Sequence, residues 1–154
     1  ACKHQVTTIF NPAPAVEFPD SVYPLCDYFT PNETEAADLA GVPVTSVDEA
    51  REAAKIFRDR GVKTALITLG EMGCYFMNES GEGHVPAFDM SGKVVETTGA
   101  GDGFNGGFAA ALAEGKSPDE AIRYGSATAA ISVTRLGTAP AMPQRSEIEQ
   151  LVNS

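Results

Sequence analysis

The sequence has few cysteines and no long hydrophobic run. Its three cysteines, Cys2, Cys26 and Cys74, are odd in number, widely spaced and without a CxxC pair. This pattern argues against a disulfide framework or a zinc site and favours a reducing, cytoplasmic setting. No apolar stretch approaches the roughly 18 residues that span a bilayer, and the first residues lack a signal-peptide core. We therefore expect a soluble, unexported protein that does not bind membranes.

Positive charge is also scarce. The chain has 11 Lys and Arg residues against 21 Asp and Glu residues, which gives a formal net charge of −10. The basic residues form no stripe that could neutralise a phosphate backbone, so nucleic acid is not an expected partner. With 43% hydrophobic residues, the 154-residue chain can bury the core of one ordinary domain.

Patterns typical of strands and helices alternate along the chain. Runs of β-branched or apolar residues predict strands at residues 6–10, 27–30, 62–69, 74–77, 83–86 and 93–96. Helices are predicted between Pro31 and Gly41, from the capping-box pattern at Ser46 to Gly61, and from the segment after residue 103 to Gly115. A fourth helix follows Ser117 to about residue 135, and a short one carries Ile148 and Leu151. This alternation predicts a three-layer α/β/α sandwich with a mostly parallel sheet.

The most informative segment is a glycine-rich turn, TTGAGDGFNG, at residues 97–106. It joins a predicted strand to a helix, so its small residues would expose several backbone N–H groups at the positive end of that helix. Because Gly99, Ala100 and Gly101 lack bulky side chains, a transferring phosphoryl group could approach these donors closely. The segment therefore predicts an anion site.

Two interpretations of Asp102 stay open on the turn alone. The carboxylate could simply stabilise the N-terminus of the helix, which is worth about 0.3 to 1 kcal/mol, although asparagine or serine would also serve. It could instead be a general base within reach of a hydroxyl that attacks the phosphate, which contributes about 10²- to 10⁴-fold in rate.

Two other nucleotide motifs fit the turn less well. Residues 101–106 formally match the dinucleotide fingerprint GxGxxG, but that motif belongs in an opening βαβ unit, and a second helix follows here. Asp102 would also direct a negative charge toward a pyrophosphate. A P-loop is excluded because no Gly-Lys-Ser/Thr follows the glycines.

Several segments together resemble the ribokinase branch of the PfkB carbohydrate-kinase family, and the resemblance covers essentially the whole chain. Residues 97–106 resemble the C-terminal signature of the family. The other segments that match in order and spacing are NPAP at 11–14, NETE at 32–35, which fits the NxxE motif, and VTRLG at 133–137. The resemblance implies a ribokinase-like α/β fold in which residues 1–154 form the C-terminal part of a single kinase domain, with the N-terminal part and the β lid absent.

The resemblance also implies roles for individual residues. Asp102 is the catalytic base, and Gly99, Ala100 and Gly101 form the anion hole with it. Residues implied to bind ATP are Asn32, Thr68, Leu69, Gly70, Glu71, Met72, Gly73, Gly101, Asp102 and Ser126. Glu35 would organise Mg²⁺ through water. Without the resemblance, Glu35 would be a solvated carboxylate, the loop at 68–73 a plain turn, and Ser126 a small packing residue.

A monovalent cation site, K⁺ in ribokinases, is implied beside the anion hole. The matching residues are Glu96, Thr98, Ser132, Arg135, Gly137 and Ala141. Glu96 replaces the usual aspartate, Ala141 lacks the hydroxyl often found there, and Gly103 stands where threonine or serine is common.

The function that the resemblance implies is transfer of a phosphoryl group from MgATP to a sugar hydroxyl, with the 5-OH of D-ribose as the expected acceptor. Residues 1–5 have the pattern of a helix tail, so we expect the chain to be part of a longer protein. By itself it would hold ATP but lack most of the sugar pocket. The family pairs through the lid, so a homodimer is expected only of the full-length protein. The alternatives are a non-catalytic nucleotide-binding module and a kinase of another pentose or of a nucleoside.

Overall fold

The computed structural model describes all 154 residues, apart from the side chain of Cys2, and divides into two compact units. The first unit comprises Ala1–Pro86 and the second Ala87–Ser154. In the part of the chain that the structure describes, no helix is long and apolar enough to cross a membrane.

The first unit contains a five-stranded sheet in the order β1-β2-β3-β4-β5. The strands are β1 (Ile9–Phe10), β2 (Tyr28–Phe29), β3 (Thr64–Thr68), β4 (Cys74–Asn78) and β5 (Gly81–Val85). β1, β2 and β3 run parallel, whereas β3–β4 and β4–β5 are antiparallel. The predicted α/β class is confirmed, but the sheet is mixed rather than mostly parallel. The connections at residues 69–73 and 79–80 are too short for the crossover that a parallel pair needs.

Two α-helices and three 3₁₀ helices complete the first unit. They are α1 (Glu33–Ala40), α2 (Val47–Asp59) and the 3₁₀ helices Cys2–His4, Asp20–Leu25 and Gly70–Met72. Gly41 caps the C-terminus of α1 and has a left-handed φ of 75°. At the start of α2, the Ser46 hydroxyl accepts the Glu49 N–H, but the Glu49 carboxylate accepts hydrogen bonds from Thr45 instead of Ser46. Only half of the predicted capping box therefore forms.

The core of the first unit lies between α2 and the sheet. Ala50, Ala53, Ala54 and Phe57 form the buried side of α2, as their helical spacing predicts. Phe57 packs edge-on against Phe29 of β2, with ring centroids 4.9 Å apart. This packing fixes α2 on the strands whose ends carry the predicted nucleotide residues.

The second unit consists mainly of α3 (Ala100–Ala113), α4 (Pro118–Ser132) and α5 (Arg145–Val152), with a 3₁₀ helix at Ala139–Ala141. The capping box predicted at Ser117 and Glu120 is present. α4 ends at Ser132, three residues earlier than predicted. The strand predicted at residues 93–96 does not form. The N–H groups of Val95 and Glu96 both donate to the carbonyl of Val133, and this residue belongs to no strand with which they could pair.

Candidate active site

The N-cap of α3 is a position that only glycine accommodates well. Gly99 is the N-cap residue and has φ 80° and ψ 2°, in the left-handed region. A Cβ atom at this position would lie 3.1 Å from Cγ2 of Thr138. The left-handed conformation and the close threonine together explain the glycine and set the direction in which α3 starts.

The first turn of α3 leaves backbone donors without acceptors. The Ala100 N–H donates to the Thr97 carbonyl at 3.1 Å, and the first helical bond runs from the Gly103 N–H to the Gly99 carbonyl at 2.9 Å. No side chain caps α3. The N–H groups of Gly101 and Asp102 therefore have no partner within the helix and lie at its positive end. In α1, α2 and α4, by contrast, a side chain occupies this place.

Asp102 is exposed and lines a cleft of about 600 Å³ in the second unit. The cleft wall is largely apolar, and Gly103 and Gly106 continue it along α3. An ion pair between Glu114 and Arg145 borders the cleft. A carboxylate that is open to a cleft and beside two available amide donors can accept a proton next to a bound anion.

Several residues of this cleft were missed in the sequence. They are Thr138, Ala139, Met142, Pro143, Arg145 and Ile148, all from the segment that follows α4. Neither spacing nor residue type distinguishes them, because they reach the cleft only through the way this segment folds back toward α3.

The residues predicted for a monovalent cation all lie in the second unit, and the structure brings some of them together. Oε2 of Glu96 accepts the Gly137 N–H at 2.8 Å, and the Ser132 carbonyl accepts the Arg135 N–H at 3.1 Å. The Arg135 guanidinium pairs with Glu147, so only the backbone of Arg135 could face a cation. Two further predicted ligands differ in burial: Ala141 is buried and Thr98 is exposed.

In the first unit, two of the predicted nucleotide residues are neighbours at the ends of parallel strands. Asn32 follows β2 and Thr68 ends β3, and the two form an isolated parallel bridge. The Thr68 N–H donates to the carbonyl of Pro31 at 3.0 Å. Ligands of open α/β sheets bind at this carboxyl edge.

Glu35 is not the solvated carboxylate that its position alone suggests. It is 7% exposed, and its Oε2 accepts the Asn32 N–H at 2.8 Å while the Asn32 side chain accepts the Glu35 N–H at 2.8 Å. The NxxE segment is therefore a capping box with asparagine at the N-cap, a signal that the sequence contains. Oε2 of Glu35 is engaged in this cap, whereas Oε1 lies outside it.

The loop after β3 is a closed turn. The Leu69 N–H donates to the Gly73 carbonyl at 2.8 Å, and Gly70 and Gly73 have φ values of 54° and 96°. An added Cβ at Gly70 would lie 3.4 Å from Oε1 of Glu33, and Nε2 of His84 lies 2.6 Å from the Met72 carbonyl oxygen. Of the remaining predicted nucleotide residues, Glu71 is exposed within this loop, whereas Ser126 is half-buried on α4 and does not line the cleft.

The side chains that the structure describes form no preformed metal cage at these sites. Among the described residues, no group of three or more His, Cys, Asp and Glu side chains is arranged to hold a metal ion. Any Mg²⁺ would therefore depend on water and substrate oxygens for most of its coordination, as this ion commonly does.

The chain matches the model of a carbohydrate-kinase family. The pattern of the family described as "pfkB family carbohydrate kinase" matches residues 1–145, so the chain belongs to that family. The resemblance inferred from the motifs is confirmed.

Particular relatives make the likeness more specific. The chain is 46% identical over 147 residues, or 96% of its length, to a ribokinase of Haemophilus influenzae, of which the match covers 47%. A crystal structure of a ribokinase from Thermotoga maritima aligns with 99% of the chain and 52% of its own, at 39% identity and a TM-score of 0.88. A ribokinase of Arabidopsis thaliana solved with ribose and ATP gives a TM-score of 0.91 at 31% identity, covering 99% of this chain and 49% of that one. The chain thus spans about half the length of the relatives it matches.

Proposed function

We propose that residues 1–154 are the C-terminal part of a single ribokinase-like kinase domain, and that the complete protein transfers the γ-phosphoryl group of ATP to the 5-OH of D-ribose. The family match across both units supports the domain assignment. The ribokinase that was solved with ribose and ATP supports the choice of both substrates. A homodimer belongs to the same proposal for the full-length protein.

One observation carries the chemistry. The N–H groups of Gly101 and Asp102 have no partner within α3 and no side-chain cap, and they stand beside an exposed carboxylate on a cleft. Donors fixed in this way stabilise the negative charge that grows on a transferring phosphoryl group, and they need no rearrangement during the reaction. The Asp102 carboxylate takes the proton of the sugar hydroxyl as that oxygen attacks the phosphorus.

Nucleotide binding is assigned to residues of each unit. Asn32 and the loop 68–73 stand at the carboxyl edge of the sheet, where backbone N–H groups and small residues suit a phosphate-bearing ligand. In the second unit, Gly101 and Asp102 carry the same role through their amides, and Ser126 is proposed to face the adenine.

Mg²⁺ and K⁺ are proposed as cofactors. Bound Mg²⁺ would neutralise part of the phosphate charge. Glu35 has one carboxylate oxygen outside its capping bond and would orient the water molecules around the ion. The carboxylate of Glu96, held by the Gly137 N–H, and the backbone carbonyls around residues 132–141 are oxygen donors of the kind a monovalent cation takes. The additional methylene of Glu96 relative to aspartate shifts that carboxylate by about 1 Å.

The direct test is Asp102→Asn in the complete protein. Asparagine has nearly the same shape but cannot accept the proton, so kcat should fall by at least about 10²-fold while ATP affinity changes little. Steady-state kinetics with ribose and calorimetry with ATP measure the two effects. Near-normal turnover in this variant would refute Asp102 as the base.

A second candidate is a nucleotide-binding module without turnover, and it is favoured by the predicted nucleotide residues Asn32 and Thr68, which are neighbours at the carboxyl edge of the sheet. Calorimetry with ATP on the 154-residue chain, paired with a ribose-phosphorylation assay, separates the two. Binding without turnover supports the module for this chain, whereas turnover by the chain alone would show that the sugar pocket is already present. The same assay with 2-deoxyribose and nucleosides tests the other acceptors.

A further inference from the structure

His84 of β5 contacts the loop that follows β3. Its Nε2 lies 2.6 Å from the carbonyl oxygen of Met72, within the 3₁₀ turn Gly70–Met72. A carbonyl can only accept, so Nε2 carries the hydrogen and donates it. Both the neutral Nε2–H tautomer and the imidazolium make this bond, so the contact does not depend on which of the two forms is present.

β5 is also bonded to neighbouring elements close to His84, through Glu82. The Tyr75 hydroxyl donates to Oε2 of Glu82 at 2.6 Å, and Arg51 of α2 reaches both oxygens of Glu82, at 2.6 Å and 3.1 Å. Burial and the Glu82 carboxylate raise the pKa of Tyr75 to about 12, so its hydroxyl stays a donor over the working range of pH. Glu82 and His84 share one face of the strand, two residues apart. The edge strand is therefore fastened to β4 and α2 beside the histidine.

Backbone bonds close the loop between β3 and β4, and the bond from His84 adds a link to a third strand. The Met72 N–H donates to the Leu69 carbonyl and the Gly73 N–H to the Gly70 carbonyl, at 3.0 Å and 3.1 Å. Gly70 and Gly73 adopt positive φ, so the backbone around them is intrinsically permissive. The bond from His84 comes from a different strand, 12 residues further along the chain. It links the turn to β5, in addition to the bonds that close the loop between β3 and β4.

We propose that His84 is a positioning residue for nucleotide binding, which acts by holding the Met72 carbonyl and thereby the loop 68–73 in the geometry that receives ATP. The inference rests on the proposed function of this loop. In this role His84 acts through the Met72 carbonyl and not by a contact of its own with the nucleotide or the sugar. Its removal therefore weakens binding of ATP without altering the chemical step or binding of the sugar.

The experiment compares four variants of the complete protein. His84→Leu removes the donor at similar size, and His84→Asn shortens the side chain so that its amide cannot reach Met72. His84→Gln keeps an N–H donor at nearly the original distance. His4→Leu is the matched control, because His4 is exposed in the first 3₁₀ helix and far from the loop in sequence.

Loss of one hydrogen bond that orders the loop should raise the KM for ATP by about 3- to 10-fold in His84→Leu and His84→Asn. The kcat and the KM for ribose should stay unchanged, and His84→Gln should recover most of the ATP affinity. Amide exchange at residues 69–73 should accelerate in the same two variants. His4→Leu should match the wild type in every measurement.

An unchanged KM for ATP in a folded His84→Leu variant overturns the inference, even if the loop amides exchange faster. A drop in kcat with no change in KM for ATP also overturns it. If the wild type phosphorylates no sugar, the proposed function fails, and the inference is then decided by calorimetry with ATP: weaker binding in His84→Leu supports it, and equal binding rejects it.

Discussion

Glu35 meets two requirements with one carboxylate. One oxygen closes the capping box of α1 with Asn32, and the proposed function gives the charge of the same group a part in organising Mg²⁺. A cap needs only an acceptor, whereas a cation needs negative charge. The two requirements can therefore be separated by substitution.

Glu35→Gln should keep the cap, because the amide oxygen still accepts the Asn32 N–H, but it should raise the Mg²⁺ concentration needed for half-maximal activity. Glu35→Ala should lose both, with the free energy of unfolding lower by about 1 kcal/mol. Urea unfolding and Mg²⁺ titrations of kcat measure the two effects. If both variants need the same Mg²⁺ concentration as the wild type for half-maximal activity, Glu35 is a capping residue only.

At the scale of elements, α3 and α4 approach each other through glycines. A Cβ at Gly107 would lie 2.2 Å from Oγ1 of Thr128, whose hydroxyl donates to the Tyr124 carbonyl, and a Cβ at Gly125 would lie 2.8 Å from the Phe104 carbonyl. Neighbouring Gly106, by contrast, has no atom within 4 Å of the corresponding position. Close packing against α4 therefore explains the glycine at position 107, but not the one at position 106.

This difference predicts opposite effects on stability. Gly106→Ala should stabilise the second unit by up to about 1 kcal/mol, because alanine favours the helix and meets no neighbour. Gly107→Ala should destabilise it by about 2 kcal/mol or more, because Thr128 cannot move without losing its hydrogen bond. Chemical denaturation followed by circular dichroism measures both. Equal effects of the two substitutions would mean that the helices are not this close.

An element could be predicted from the sequence when the residues that determine it lie close together in the chain. The caps of α1 and α4 and the glycine turn before α3 are local, so the sequence indicated their positions, and Asp102 with them. Residues 93–96 have the β-branched composition of a strand, but strands need a partner, and none is adjacent. The cleft residues of 138–148 could not be predicted because only long-range folding brings them to α3.

At the scale of the whole molecule, one carboxylate joins the starts of the three parallel strands. Asp27, just before β2, accepts hydrogen bonds from the N–H and hydroxyl of Thr8, at 2.7 Å and 3.0 Å, ahead of β1. It also pairs with Lys63, ahead of β3, at 2.7 Å. The hydrogen bond from Lys63, followed by those from Thr8, holds the pKa of Asp27 below its ordinary value of 3.8.

A depressed pKa in the folded state means that this stabilisation is complete above the unfolded-state pKa and is lost as the pH falls through the folded-state pKa. Asp27→Asn should therefore lower the free energy of unfolding by about 1 kcal/mol at neutral pH, a modest value because the pair is partly exposed. The difference from the wild type should shrink progressively below about pH 4. Urea midpoints across this range measure it.

Asp59→Asn is the control for that series, because Asp59 is exposed at the end of α2. It gives the effect of removing an exposed carboxylate that does not bond to Thr8 or Lys63. A difference between Asp27→Asn and the wild type that stays constant into strong acid would show that the carboxylate charge is not what joins the strands.

The bare start of α3 also bears on attempts to make this protein more heat-resistant. Adding an acceptor side chain for the Gly101 and Asp102 amides is the obvious way to strengthen that helix, since every comparable helix start in α1, α2 and α4 has one. Such an acceptor would compete with the phosphate for the same donors. Stabilising α3 by such a cap would therefore lower turnover, whereas a change beyond its first turn, such as Gly106→Ala, leaves those two amides unoccupied.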